Sequence, residues 1–161
     1  MRLYPDKAFK LNNDIDLTQF ITDNFSATGW EPICSSSTPF SGTFDGDGYT
    51  ISGLTINGGA NKGLFGAING GTVQNLGLSG VNINCTASTD NNIGGLASAL
   101  TNGVIKNCFV TGTVIGYNAT GGIVGMVNSG GSVENLRRYR CIRRVDTTTF
   151  GVRYTGSEDL R

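Results

Sequence analysis

Asp45-Gly46-Asp47-Gly48 places two carboxylates two residues apart in a glycine-rich stretch. Calcium loops use such alternation to turn aspartates toward one hard cation. The later ligands of an EF-hand, above all its distal glutamate, do not follow. The same residues suit a tight turn, where Asp and Gly are favoured for their backbone behaviour. Asp45 and Asp47 are thus the calcium candidates, weighed against a turn, and no metal or cofactor is expected. Asp14 and Asp16 form a second pair on one face of an extended segment, where a solvated strand face accounts for them. The chain has no histidine, which removes His-based triads, the zinc-peptidase motif and the commonest metal ligand. A glycosidase needs two carboxylates across a groove, and a lyase needs a bound cation with a base on the same face. Between residues 11 and 135 the basic residues are Lys62 and Lys106 alone. No catalytic residue is assigned. A carbohydrate-active β-helix enzyme, a polysaccharide lyase or glycoside hydrolase, is the alternative to a non-enzymatic reading.

The elements that position these residues come from a degenerate repeat. Gly63-Leu64-Phe65-Gly66 returns as Gly95-Leu96-Ala97-Ser98 and as Gly122-Ile123-Val124-Gly125. An asparagine follows each copy at a nearly constant distance: Asn75, Asn107 and Asn135. Each asparagine ends a short β-like run: Thr72-Val73-Gln74, Val104-Ile105-Lys106 and Ser132-Val133-Glu134. Repeats at such a period mark a stacked array whose units bury their apolar faces on one another. Many short strands per unit suit an all-β, parallel β-helix of about four coils. Aligned on the asparagines, Val73, Ile105 and Val133 form one inward column, and Leu76, Cys108 and Leu136 another. Thr50-Ile51-Ser52-Gly53-Leu54 fits as an earlier unit, which adds Ile51 to the first column and Leu54 to the second. Asn75, Asn107 and Asn135 are expected as a turn ladder bonded amide to amide. Cys108 is expected to be a buried, unpaired thiol acting as a small hydrophobe. Cys34, Cys85, Cys108 and Cys141 include no C-x-x-C pair, so a zinc site is not expected.

Glycine accounts for 25 of 161 residues and proline for 3, which disfavours long helices and favours strands joined by turns. Phe9 to Leu17 alternates over most of its length like a half-buried strand. Trp30-Glu31-Pro32-Ile33 and Phe40-Ser41-Gly42-Thr43-Phe44 supply bulk to plug the first coil. The division expected is a capping segment at 1–49, coils at 50–136 and an atypical tail at 137–161. Residues 1–135 hold five Lys/Arg against nine Asp/Glu, whereas 136–161 hold seven Arg against three acids. The repeat offset calls for an apolar residue at 138 and a glycine at 140, where the chain has Arg138 and Arg140. Burying an unpaired guanidinium is costly, so the tail is expected outside the solenoid or disordered. Neither nucleic-acid binding nor membrane insertion is expected, and no signal peptide is visible. Asn24-Phe25-Ser26, Asn84-Cys85-Thr86 and Asn118-Ala119-Thr120 match the glycosylation sequon, as an Asn-, Ser- and Thr-rich chain does by chance.

Residues 9–136 resemble bacterial GLUG-repeat proteins. The resemblance rests on Asn13-Asp14-Ile15-Asp16-Leu17, on Trp30-Glu31-Pro32-Ile33, on Phe40 through Leu54, and on the three glycine motifs. It implies a right-handed β-solenoid from a cell-surface or secreted adhesin-like protein, or a non-catalytic segment of an IgA-specific metallopeptidase. It carries no agreed catalytic residues. The pattern fades after Leu136, which points to a fragment or an altered 3′ end. The function expected is a spacer or binding scaffold whose partner is a host or cell-surface protein or a glycan, with self-association through the exposed last coil.

Overall fold

A computed structural model describes residues 2–136 and the backbone of 143–144. The chain opens with Ala8–Lys10 (β1), Ile15–Asp16 (β2) and the helix Thr18–Phe25 (α1). Thr43–Asp45 (β3), Thr50–Ser52 (β4) and Thr55–Asn57 (β5) follow. The next coil is Phe65–Asn69 (β6), Thr72–Gln74 (β7), Gly77–Cys85 (β8) and Asn91–Gly94 (β9). It is repeated as Ala97–Thr101 (β10), Val104–Lys106 (β11), Phe109–Gly116 (β12) and Asn118–Gly121 (β13). Val124–Val127 (β14), Ser132–Glu134 (β15) and Arg143–Arg144 (β16) begin another.

Successive coils stack with all named strands parallel. One wall runs β1-β3-β7-β11-β15, the next β2-β4-β8-β12-β16 with β5 also on β8. A third wall is β9-β13 and a fourth β6-β10-β14. The result is a β-solenoid of about four coils. Alternation along each strand sends every second side chain inward. Phe44, Val73, Ile105 and Val133 stand opposite one another on the first wall. The core that Phe44, Val73 and Ile105 share with Leu64, Leu76, Leu78, Leu96, Leu100 and Cys108 is nearly free of solvent, and half-buried Val133 packs against it.

The repeated glycine motif turns the chain from the third wall into the fourth. Phe65 stands opposite Ala97, and Ala97 opposite Val124, so Gly63, Gly95 and Gly122 form a column, with Leu64, Leu96 and Ile123 buried beside it. A Cβ on Gly63 would lie 2.6 Å from the Gly94 carbonyl oxygen, closer than packed atoms tolerate. The asparagine offset grows by one residue in the third copy because the turn from Val127 to Ser132 is one longer than that from Leu100 to Val104. The register on either side is unaffected.

Two expectations are corrected. Ile51 and Leu54 do not join the columns of Val73 and Leu76. Ile51 stands between Ile15 and Leu78 on the second wall, and Leu54 falls beside Val81, since Thr55 opposes Asn82. Thr-Ile-Ser and Thr-Val-Gln both place their middle residue inward, so the pattern alone does not tell one wall from the next. All four side chains are buried. Second, Phe9 to Leu17 is not one strand but two short ones on different walls, joined through Leu11–Asp14. The capping segment also holds the short helix α1. Leu17, Ile21 and Phe25 recur every four residues, which presents one apolar face, and that face packs on the core. Trp30 is half-buried, whereas Ile33, Phe40 and Phe44 lie in the core itself. Phe40 and Phe44 pack on Phe65 with ring centroids 5.1 and 5.8 Å apart.

Arg143–Arg144 pair in parallel with Ile115–Gly116, so these two residues continue the second wall. The rest of the tail expectation, Arg138 and Arg140 included, lies outside the described residues, as does Cys141. Leu76 is 1% exposed within this stack. Leu76→Ala is expected to cost about 2–5 kcal/mol through lost burial and a residual cavity. Urea unfolding followed by circular dichroism measures it.

Candidate functional site

The polar chemistry of the chain gathers at the corners of the coil. Several corners place a residue in the left-handed region, which L-residues disfavour by about 1–2 kcal/mol and which Asn and Gly adopt most readily. Asn75, Asn107 and Asn135 occupy it with φ of 54°, 54° and 47° at the corner between the first and second walls. The Asn107 amide donates to Asn75 Oδ1 at 3.1 Å, and the Asn75 amide donates to Asp45 Oδ1 at 3.0 Å. Asp45 therefore terminates the ladder. Its carboxylate also accepts from Gln74 Nε2 at 2.8 Å and from the Asp47 backbone N–H at 2.9 Å. These donors, Asn75 first and the Asp47 amide next, hold the Asp45 carboxyl below its ordinary value.

The Asp47 carboxylate pairs with Lys10 at 3.0 Å. The two calcium candidates thus serve different protein partners. Among the described residues, no three Asp, Glu, Cys or His side chains converge as a metal site. Asp14 and Asp16 are likewise engaged separately. Asp14 Oδ1 accepts the Thr50 N–H at 2.7 Å, and Asp16 Oδ1 accepts the Thr18 N–H at 2.9 Å, ahead of α1.

A second asparagine ladder, along the third wall, escaped the sequence reading. Asn61, Asn92 and Ala119 have φ of 56°, 56° and 43°, and Lys62, Ile93 and Thr120 after them are in register. Asn92 Nδ2 donates to Asn61 Oδ1 at 2.9 Å. Ala119 ends the series because it has no amide. The signal was a pair of asparagines 31 residues apart, hidden by the alanine in the third copy. Asp90, also missed, is 3% exposed. It accepts the N–H of Gly59 and of Ala87, each at 3.0 Å, which locks two loops together.

On the outer face of the first wall, Lys10, Asp45, Gln74, Lys106 and Glu134 form one column. Beside α1, Arg2 lies over the Trp30 ring at 5.1 Å, and both border an open cleft of about 430 Å³ with Leu3, Tyr4 and Ile33. Two of its polar side chains are engaged by backbone: Trp30 Nε1 donates to Leu64 O, and Arg2 donates to the carbonyls of Glu31 and Pro32. Cys85 and Cys108 are buried, and Cys108 Sγ donates to Lys106 O at 3.2 Å. Desolvation pushes both thiols from 9.0 up to about 11, helped at Cys85 by the Asp90 charge.

Two outcomes follow from this geometry. Ala119→Asn is expected to extend the second ladder and raise stability by about 0.5–1.5 kcal/mol, the range of one added hydrogen bond; the urea midpoint reads it. Between pH 9 and 11 the unfolded chain releases thiol protons that the folded chain retains, so stability falls as pH rises. The share held by the neutral thiols is complete below pH 9 and lost as pH climbs to about 11. Cys108→Val is expected to flatten that loss in an alkaline series of unfolding curves.

Residues 36–112 match the family described as M26 IgA1-specific metallo-endopeptidase N-terminal region. The chain is similar to halomucin of Haloquadratum walsbyi, with 36% identity over 135 residues, which is 81% of this chain and 1% of halomucin. It is also similar to a putative Gly-rich membrane protein of Evansella cellulosilytica, with 44% identity over 75 residues, which is 45% of this chain and 8% of that protein. The chain therefore spans only a small part of the curated relatives that it matches. No solved structure matches it. Among the described residues, no helix is long and apolar enough to cross a membrane.

Proposed function

We propose that this chain is a non-enzymatic β-solenoid segment of a surface or secreted protein, serving as a spacer or binding scaffold. One observation carries the reading: the side chains best suited to chemistry are committed to the coil itself. Asp45 ends an amide ladder, Asp90 ties two loops, and Asp47 pairs with Lys10. Similarity to halomucin and to a Gly-rich membrane protein supports a location at or outside the cell surface. Similarity to the N-terminal region of a metallo-endopeptidase fits a segment that accompanies other domains. The GLUG-type repeat and an adhesin-like role belong to this same reading, with a host or cell-surface protein or a glycan as the partner.

The test is a turnover assay alongside a binding screen. The purified chain is expected to leave pectin, other acidic glycans and protein uncleaved, with or without added calcium. Reproducible turnover that disappears in Asp45→Asn or Asp47→Asn would overturn the proposal in favour of a carbohydrate-active enzyme.

A further inference from the structure

An asparagine or aspartate followed by glycine can close a ring on its own backbone, because glycine has no side chain to hinder its nitrogen. The chain has five such pairs: Asp45-Gly46, Asp47-Gly48, Asn57-Gly58, Asn69-Gly70 and Asn102-Gly103. In four of them the glycine N–H is tied to the neighbouring coil. Gly46 donates to Gln74 O at 2.8 Å, Gly48 to Asn75 O at 2.9 Å, Gly58 to Asn84 O at 2.8 Å and Gly70 to Thr101 O at 3.0 Å. Each of these bonds fixes the peptide plane that ring closure has to turn. The fifth pair differs. Gly103 lies between two described coils: its carbonyl accepts the Ser132 N–H at 2.9 Å, and Gly71 lies on its other side. Among the described residues its own N–H has no acceptor.

The difference comes from a shift of one residue. Thr101 stands opposite Asn69, so Asn102 occupies the place of Gly70, and both are left-handed, with φ of 47° and 76°. The N–H at that place bonds to the next coil in both: Gly70 to Thr101 O, and Asn102 to Ser129 O, each at 3.0 Å. In the earlier coil the asparagine precedes this bond, which therefore guards the Asn69–Gly70 peptide. In the later coil the asparagine itself makes the bond, and the Asn102–Gly103 peptide falls just past it. Asn102 is exposed, and Gly103 is covered. Ring closure needs this peptide to turn outward, but no bond of the Gly103 N–H has to break first.

We propose that Asn102 is a site of spontaneous deamidation in the folded protein. The Gly103 nitrogen gives its proton to hydroxide and attacks Asn102 Cγ. The N–Cγ bond forms and the Cγ–Nδ2 bond breaks. The departing amide group takes a proton from water and leaves as ammonia. Water then opens the cyclic imide at either carbonyl, leaving an aspartyl or isoaspartyl residue at position 102. The product sets a carboxylate on the corner between β10 and β11, and the isoaspartyl form lengthens the main chain there by one bond.

Cleavage at Lys62 and Lys106 releases one peptide that holds both Asn69 and Asn102, so the two sites are compared within a single molecule. The full chain is incubated in ¹⁸O-water at mildly alkaline pH, digested with trypsin in ordinary water, and sequenced by fragment-ion mass spectrometry to place the ¹⁸O. Circular dichroism verifies that the chain stays folded during incubation. Conversion at Asn102 is expected to run about tenfold faster than at Asn69 or Asn57, the factor set by one hydrogen bond that those sites must first break. In guanidinium chloride the three rates are expected to converge. Equal rates at Asn69 and Asn102 in the folded chain, a faster rate at Asn69, or no conversion at Asn102 while the unfolded chain converts would overturn the proposal.

Discussion

Everything in this molecule depends on the corners. A coil closes only if the backbone bends sharply at the same places in every turn, and the bend between the first and second walls uses a left-handed residue in each coil. Asparagine meets that requirement and brings an amide that can bond to the amide of the next coil. Asn75 and Asn107 show both properties at once. The corner fixes where each strand begins, the strand fixes which side chains point inward, and the parallel register carries that choice to the next coil. Burial of Val73 or Leu76 is therefore a consequence of correct corners as much as of hydrophobicity.

The same constraint explains the electrostatics. Asp45 sits where an asparagine ladder would otherwise end with an unanswered amide, and three donors converge on it. A carboxylate that accepts three hydrogen bonds is held in its charged form, which lowers its pKa without a buried cation. Asp90 plays a similar part where the loops around Gly59 and Ala87 meet. In both places an acidic group answers backbone or amide donors that would be costly to leave unpaired.

Much of the fold was legible because the repeat conserves spacing. The common offset of Val73, Ile105 and Val133 reflects residues that stand directly opposite one another. The glycine motif was legible as a repeat, but its reason, close approach of backbones at Gly63, emerged only in three dimensions. Ile51 and Leu54 were assigned to the wrong wall because period-two alternation is the same on every wall. The corner from Asp45 to Thr50 is two residues longer than that from Gln74 to Gly77 and has no asparagine to mark it. The helix was visible in the spacing of Leu17, Ile21 and Phe25, yet a glycine-rich, β-patterned chain drew attention to alternation instead. The Asn61–Asn92 ladder stayed hidden because Ala119 breaks it.

Among the described residues, the strands of each wall pair only with those of adjacent coils, and that has a mechanical meaning. In an array stacked in this way a pull loads the outermost coil first, because each unit contacts only its neighbours. The solenoid then yields by peeling rather than by global rupture. From Val73 to its counterpart Ile105 is 32 residues, and a stretch of that length drawn out spans about 100 Å. A segment of this kind lengthens in steps of one coil and can rewind on the template left behind.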